Sequence, residues 1–140
     1  MEGPYAAVKL QEHLQQRGGT INPPADSVTL ARAEKRLGLA LPAGVRAYLL
    51  RFDGMETCDD DLMRFWSADE LALTALPNEE QGLTFADYSI SAHEYLVNLN
   101  TGAVQIECSP PMPDVARDWD HYVERFLTES IPLWWISSDS

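Results

Sequence analysis

The sequence predicts an α+β fold in which an antiparallel sheet packs against N-terminal helices and a C-terminal helix, in a single domain over residues 1–140. Three observations predict it. Apolar residues recur with a helical period of about 3.6 as far as Gly54. In 62–66 and 84–108 the period falls to about two, and a last helical pattern follows at 115–128. At 140 residues the chain is long enough for one core, burying roughly two thirds of the surface its unfolded chain exposes. No linker long enough to separate two domains is visible, and no internal repeat.

The first helix is expected at about 4–17, opened by Pro4 at a first-turn position and stopped by Gly18-Gly19. TINPPADS follows, where Pro23-Pro24 enforce an extended linker and Asp26 or Ser27 stands ready as an N-cap. In VTLARAEKRLG, Leu30, Ala33 and Leu37 lie on one face of a second helix, at about 28–37, which Gly38 ends in the left-handed conformation. Pro42 opens a third at about 43–52, with Val45, Tyr48, Leu49 and Phe52 on its apolar side and Asp53-Gly54 as its stop.

After the acidic loop ETCDDD, LMRFWS reads as a short strand, and Ser67-Ala-Asp-Glu70 as a capping box opening a short helix through about Thr74. The stretch 77–82 reads as a turn-rich loop. Strands are expected around 84–90, 95–100 and 103–108, the last two joined by the turn Asn100-Thr101-Gly102, giving a three-strand meander. Pro110, Pro111 and Pro113 break the chain. Val115, Trp119, Tyr122, Val123, Phe126 and Leu127 then mark one face of the final helix. The tail SIPLWWISSDS fits either an edge strand or a packed extension.

Charge is unevenly placed. Residues 1–51 hold seven Lys/Arg against four Asp/Glu, a net of +3, and residues 52–140 hold three against eighteen, a net of −15. Such a field repels nucleic acid and anionic lipid, whose binding rests on Lys and Arg, and attracts a basic protein partner. The longest strongly apolar run, IPLWWI, is far too short to cross a bilayer, for which about 20 helical residues are needed. The N-terminus lacks the basic and apolar regions of a signal peptide, so a cytoplasmic location is expected. Cys58 and Cys108 show no metal-ligand spacing and are read as reduced thiols.

NPPADSVTLARAEKRLGLALPAGVRAYLLRFDGM resembles the signature of the SUKH superfamily, which contains fungal cell-wall synthesis regulators and many bacterial immunity proteins. The pattern is a Glu-bearing helix, Leu-Gly, Leu-Pro, an aromatic-Leu helix and a closing polar-Gly. Here these are Glu34, Leu37-Gly38, Leu41-Pro42, Tyr48-Leu49-Leu50 and Asp53-Gly54. The likeness continues in MRFWSADEL, in FADY with Tyr95, in the Asn100-Thr101-Gly102 turn and in DWDHYVERFL, covering about 23–128 and leaving 129–140 as a C-terminal extension. Met55 stands where many members carry glycine or a polar residue. The resemblance implies a protein-binding domain without catalytic residues. In bacteria this is most often an immunity protein that occludes a cognate polymorphic toxin, frequently a nuclease. The alternative is a housekeeping regulator or scaffold with a cellular partner.

Asp87, His93 and Glu94 could suggest acid/base chemistry, but alternation on a strand sends His93 and Glu94 to opposite faces. No hydrolase, metalloprotease or phosphate-loop motif accompanies them, so no catalytic residue and no cofactor is expected. The run Asp59-Asp60-Asp61 lacks the ligand spacing and glycine of a calcium loop, and no metal is expected. Asp59, Asp60 and Asp61, with Glu79 and Glu80, are instead read as contacts for cationic side chains of a partner. Trp66, Trp119, Tyr122 and Phe126 have core spacing rather than that of a base-stacking platform. Adjacent Trp134 and Trp135 cannot both point inward on a strand, which marks them as interface candidates.

Overall fold

The switch from helix to strand falls at Gly54, as the change of period predicts. The computed structural model describes residues 3–88, 93–107 and 114–129, which form one α+β domain. Helix α1 (Gly3–Gln16) buries Ala6, Ala7, Leu10 and Leu14. Strand β1 (Thr20–Ile21) pairs antiparallel with β2 (Met55–Thr57), so the extended Pro-Pro linker begins with a two-residue ladder that no sequence signal announced.

In α2 (Ser27–Leu37), Thr29 N donates to the Asp26 carboxylate at 2.8 Å, and Gly38 closes the helix at φ 73°. Helix α3 (Ala43–Arg51) starts after Pro42 and buries Val45, Tyr48 and Leu49. Glu34 of the signature is a structural residue. Its carboxylate accepts from Leu41 N at 2.8 Å and from Arg46 Nη1 at 3.5 Å, tying α2 to the start of α3.

The main sheet is antiparallel throughout, ordered β3 (Met63–Phe65), β5 (Gln81–Tyr88), β6 (His93–Asn98), β7 (Val104–Glu107) and β8 (Asp114–Ala116). β4 (Ala72–Ala75) also pairs with β5, further along the edge that β3 occupies. Helix α4 (Trp119–Glu129) packs with α1 on one face of the sheet. Between them lies an aromatic core of Tyr48, Phe52, Phe65, Phe85, Tyr122 and Phe126, all buried.

Three expectations are corrected. The capping box forms, with Ser67 N donating to Glu70 Oε1 at 2.9 Å, but it closes only a turn, and Ala72–Ala75 is strand rather than helix. A run this short cannot repay helix nucleation, whereas pairing with β5 supplies a ready ladder. Gly82 is in strand β5, not in a loop. A Cβ there would lie 2.7 Å from Leu96 Cδ1, so the position is closely packed within the strand and is not a turn. Val115 belongs to β8, because α4 starts only at Trp119, where His121 N donates to the Asp118 carboxylate at 2.8 Å. The meander of β5, β6 and β7 stands as expected.

Candidate functional site

The acidic loop between β2 and β3 is organised by its first aspartate. Asp59 Oδ1 accepts from Asp61 N at 2.9 Å and from Met63 N at 3.0 Å, while its backbone N–H donates to Met63 O. Its side chain is therefore buried rather than turned outward, which corrects its assignment as a surface contact. Asp61 forms a two-pronged ion pair with Arg17 at 2.6 and 2.8 Å, and Asp60 stays exposed. Among the three, Asp60 is the exposed carboxylate.

Burial pushes the Asp59 carboxyl above its ordinary value of 3.8, against its two backbone hydrogen bonds, and Oδ2 accepts none. A carboxyl that holds its proton more tightly when folded contributes stability fully below the unfolded value, and that contribution is lost as pH rises through the folded one. Asp59→Asn keeps the Oδ1 acceptor and removes the charge. The variant is expected to gain stability relative to the parent as pH rises from about 4 to 7, whereas Asp59→Ala, which strands two amides, is expected to lose about 1–3 kcal/mol. Urea denaturation of all three proteins across that range is the measurement. A parent-to-Asn difference that does not change with pH would refute the assignment.

Glu79 and Glu80 sit in the turn joining β4 to β5, where Asn78 and Glu79 both adopt positive φ, at 63° and 62°. Glu79 is exposed. Glu80 is half-buried and accepts from Asn98 Nδ2 at 3.2 Å. Trp134 and Trp135 lie outside the described residues.

A feature that the sequence alone did not suggest crosses the sheet on the face away from the helices. The registers Arg64↔Asp87, Asp87↔Glu94 and Glu94↔Glu107 align four charged side chains on four adjacent strands. Neighbouring strands run about 4.8 Å apart, so the three carboxylates crowd one another. Arg64 neutralises one end. It holds Glu70 at 2.8 Å and lies 3.6 Å from Asp87, whose Oδ2 also accepts from Trp66 Nε1 at 2.6 Å. At the other end, burial and then the Glu107 and Asp87 carboxylates push the Glu94 carboxyl upward. The β6–β7 ladder is centred between Asn100 and Thr101, so Glu94 faces Glu107 one position off the register that a turn centred on Thr101 would give.

His93 is on the opposite, helix-facing side, its ring stacked with Tyr88 at 6.3 Å between centroids. Asp87 and Glu94 therefore share a face that His93 does not. Tyr122 and Phe126 are core residues, and Trp66 and Trp119 are half-buried against it. Among the described residues, no group of three or more His, Cys, Asp and Glu side chains is arranged to hold a metal ion. A shallow concavity of ≈ 320 Å³ lies where Ala43 and Gly44 meet Asp118, Trp119 and Asp120. It brings no nucleophile and base together. No helix among the described residues is long and apolar enough to cross a membrane.

No protein-family model and no curated protein matches the chain.

Proposed function

We propose that this chain is a non-enzymatic protein-binding domain of the immunity type, which occludes a cationic toxin domain through its acidic surface. The observation that carries the reading is how charge is distributed in the fold. Arg17, Arg32, Arg46 and Arg64 of the chain are each committed to a carboxylate of the same molecule. Exposed Glu56, Asp60, Glu79, Asp120 and Glu124 form no ion pair within the described residues. The surplus is thus negative and faces outward, suited to Lys and Arg of a partner. The resemblance to the SUKH superfamily adds the toxin.

Co-expression with the product of the gene immediately upstream, scored by growth rescue and co-purification, tests the partnership. A neighbour that is neither toxic nor retained by the chain counts against it. With the partner in hand, Asp60→Asn combined with Glu79→Gln is expected to slow association several-fold at low salt and to change dissociation little. The difference should shrink at physiological ionic strength, where screening acts over about 8 Å. Stopped-flow rates indifferent to both salt and substitution would make the acidic surface a solubility device only.

A further inference from the structure

We propose that the free edge of β4 is a strand-addition site for an extended cationic segment of a partner protein. The hydrogen-bond parity of β4 identifies the groups on offer. Leu76 N donates to Glu80 O at 2.9 Å, while Gln81 turns both backbone groups toward the β6 side, donating to Asn100 Oδ1 at 3.1 Å and accepting from Leu99 N at 2.8 Å. In an antiparallel ladder, bonded and non-bonded pairs alternate. The pairs Leu73↔Leu83 and Ala75↔Gln81 are therefore the non-bonded ones, and the N–H and C=O groups of Leu73 and Ala75 point away from β5. Among the described residues none of these four groups has a partner.

The same two residues are exposed, Leu73 at 38%. Unpaired edges usually carry a charge, a proline or a bulge that prevents pairing with another chain. β4 has none of these: ALTA is uncharged, and its register with β5 runs without a shift. β3 carries Arg64 on the same edge, and the opposite edge strand β8 carries Asp114 and is held by Arg125 Nη1 on Val115 O at 3.0 Å. Among the described residues, β4 is the edge left open.

Charge selects the occupant. The outward row begins one step earlier at Leu71, whose carbonyl already accepts from the Arg36 guanidinium at 2.9 Å. At the other end the row runs into exposed Glu79 and half-buried Glu80. A second copy of the chain would bring another net charge of −12 against this one, so self-pairing is opposed and a cationic strand is favoured. The strand supplies main-chain hydrogen bonds to Leu73 and Ala75, an apolar contact to Leu73 and a cation to Glu79. The sign of the occupant's charge rests on the reading under Proposed function. The open edge does not.

The probe is the capped peptide acetyl-Lys-Val-Thr-Val-Lys-Val-Thr-Lys-amide, added to the isotopically labelled full chain at low salt and followed by amide shifts and hydrogen exchange. The expected result is saturable shifts centred on β4 with exchange at Leu73 and Ala75 slowed about tenfold or more. Leu73→Pro, which removes an outward donor and spares the β4–β5 ladder, should abolish the slowing while the remaining spectrum stays folded. A peptide with glutamate in place of lysine should not bind. Shifts centred on Glu94 and Glu107, or none up to millimolar peptide, would overturn the edge while leaving the acidic-surface reading standing. Equal edge binding by the glutamate peptide would overturn the cationic occupant instead. Sedimentation showing a peptide-free dimer that Leu73→Pro dissolves would assign the edge to a second copy and overturn the proposal.

Discussion

Replacing Gly54 by alanine is expected to destabilise the domain by about 3 kcal/mol or more. Gly54 has φ 72°, where a side chain costs about 1–2 kcal/mol. Space is the larger difficulty. A Cβ would lie 2.3 Å from Ser67 N, 2.5 Å from the Trp66 carbonyl carbon and 2.7 Å from Ser67 Cα. All three are backbone atoms of one segment, and that segment is fixed from several sides. Ala68 N donates to Asp53 Oδ1 at 2.8 Å, the Tyr48 hydroxyl donates to Trp66 O at 2.7 Å, and Trp66 N donates to Phe85 O at 2.7 Å. Moving the segment to admit a methyl group stretches bonds to α3 and β5 together. Gly38 provides the control, having the same backbone sign, φ 73°, and no atom within 4 Å of its would-be Cβ. Gly38→Ala should lose only the conformational share, about 1 kcal/mol. Equal losses for the two variants in urea denaturation would show that close approach at Gly54 does not matter.

Gly54 also illustrates what sequence could and could not reveal. Its place at the end of an amphipathic helix was legible as a stop signal, and so were Asp26, Gly38 and Pro42, because caps act through neighbours in the chain. The approach of Gly54 to Ser67 was not, since it depends on where a later strand lands. Ala72–Ala75 departs from its local signal for a related reason. Its capping box is real, but tertiary pairing with β5 outweighs a local helix preference. Val115 fits a helical apolar face as well as it fits β8, and only the cap at Asp118 separates the two. In the acidic loop, composition showed three aspartates with one chemistry, and the fold gave them three different roles. Asp59 folds the loop, Asp61 neutralises Arg17 and Asp60 remains exposed. The carboxylate row needed two registers. The Asn100-Thr101-Gly102 turn gives the first only to within one position, and the β5–β6 register includes a shift between Thr84 and Ala86 that no local signal announces.

Phe65→Ala is expected to cost about 3–5 kcal/mol, near the upper end for a single core truncation. Phe65 is wholly buried, and its ring is within 5.5–6.3 Å, between centroids, of Tyr48, Phe52, Phe85 and Phe126. Those four rings come from α3 and its C-terminal end, from β5 and from α4. One side chain thus joins the sheet to two helices. β3 is only three residues long, with Met63 and Phe65 facing the core and Arg64 facing the other way. Its ladder to β5 and the Met63–Asp59 hydrogen bonds hold its backbone, and these two side chains anchor it to the core. Losing the ring removes its transfer free energy and leaves a cavity walled by aromatics, which collapse poorly because they are stiff. Phe65→Leu retains most of the apolar volume and should cost under about 2 kcal/mol. The consequence extends to the opposite face, since β3 carries Arg64, the one cation of the Asp87–Glu94–Glu107 row. A loosened β3 should weaken the contact of Arg64 with Asp87, so amide exchange at residues 63–65 should quicken in Phe65→Ala by more than at β7. Thermal and urea denaturation give the stability difference, and hydrogen exchange gives its distribution. A loss below about 1.5 kcal/mol, or faster exchange spread evenly over the sheet, would mean that the surrounding rings close the gap and that β3 is held by its ladder to β5 rather than by this anchor.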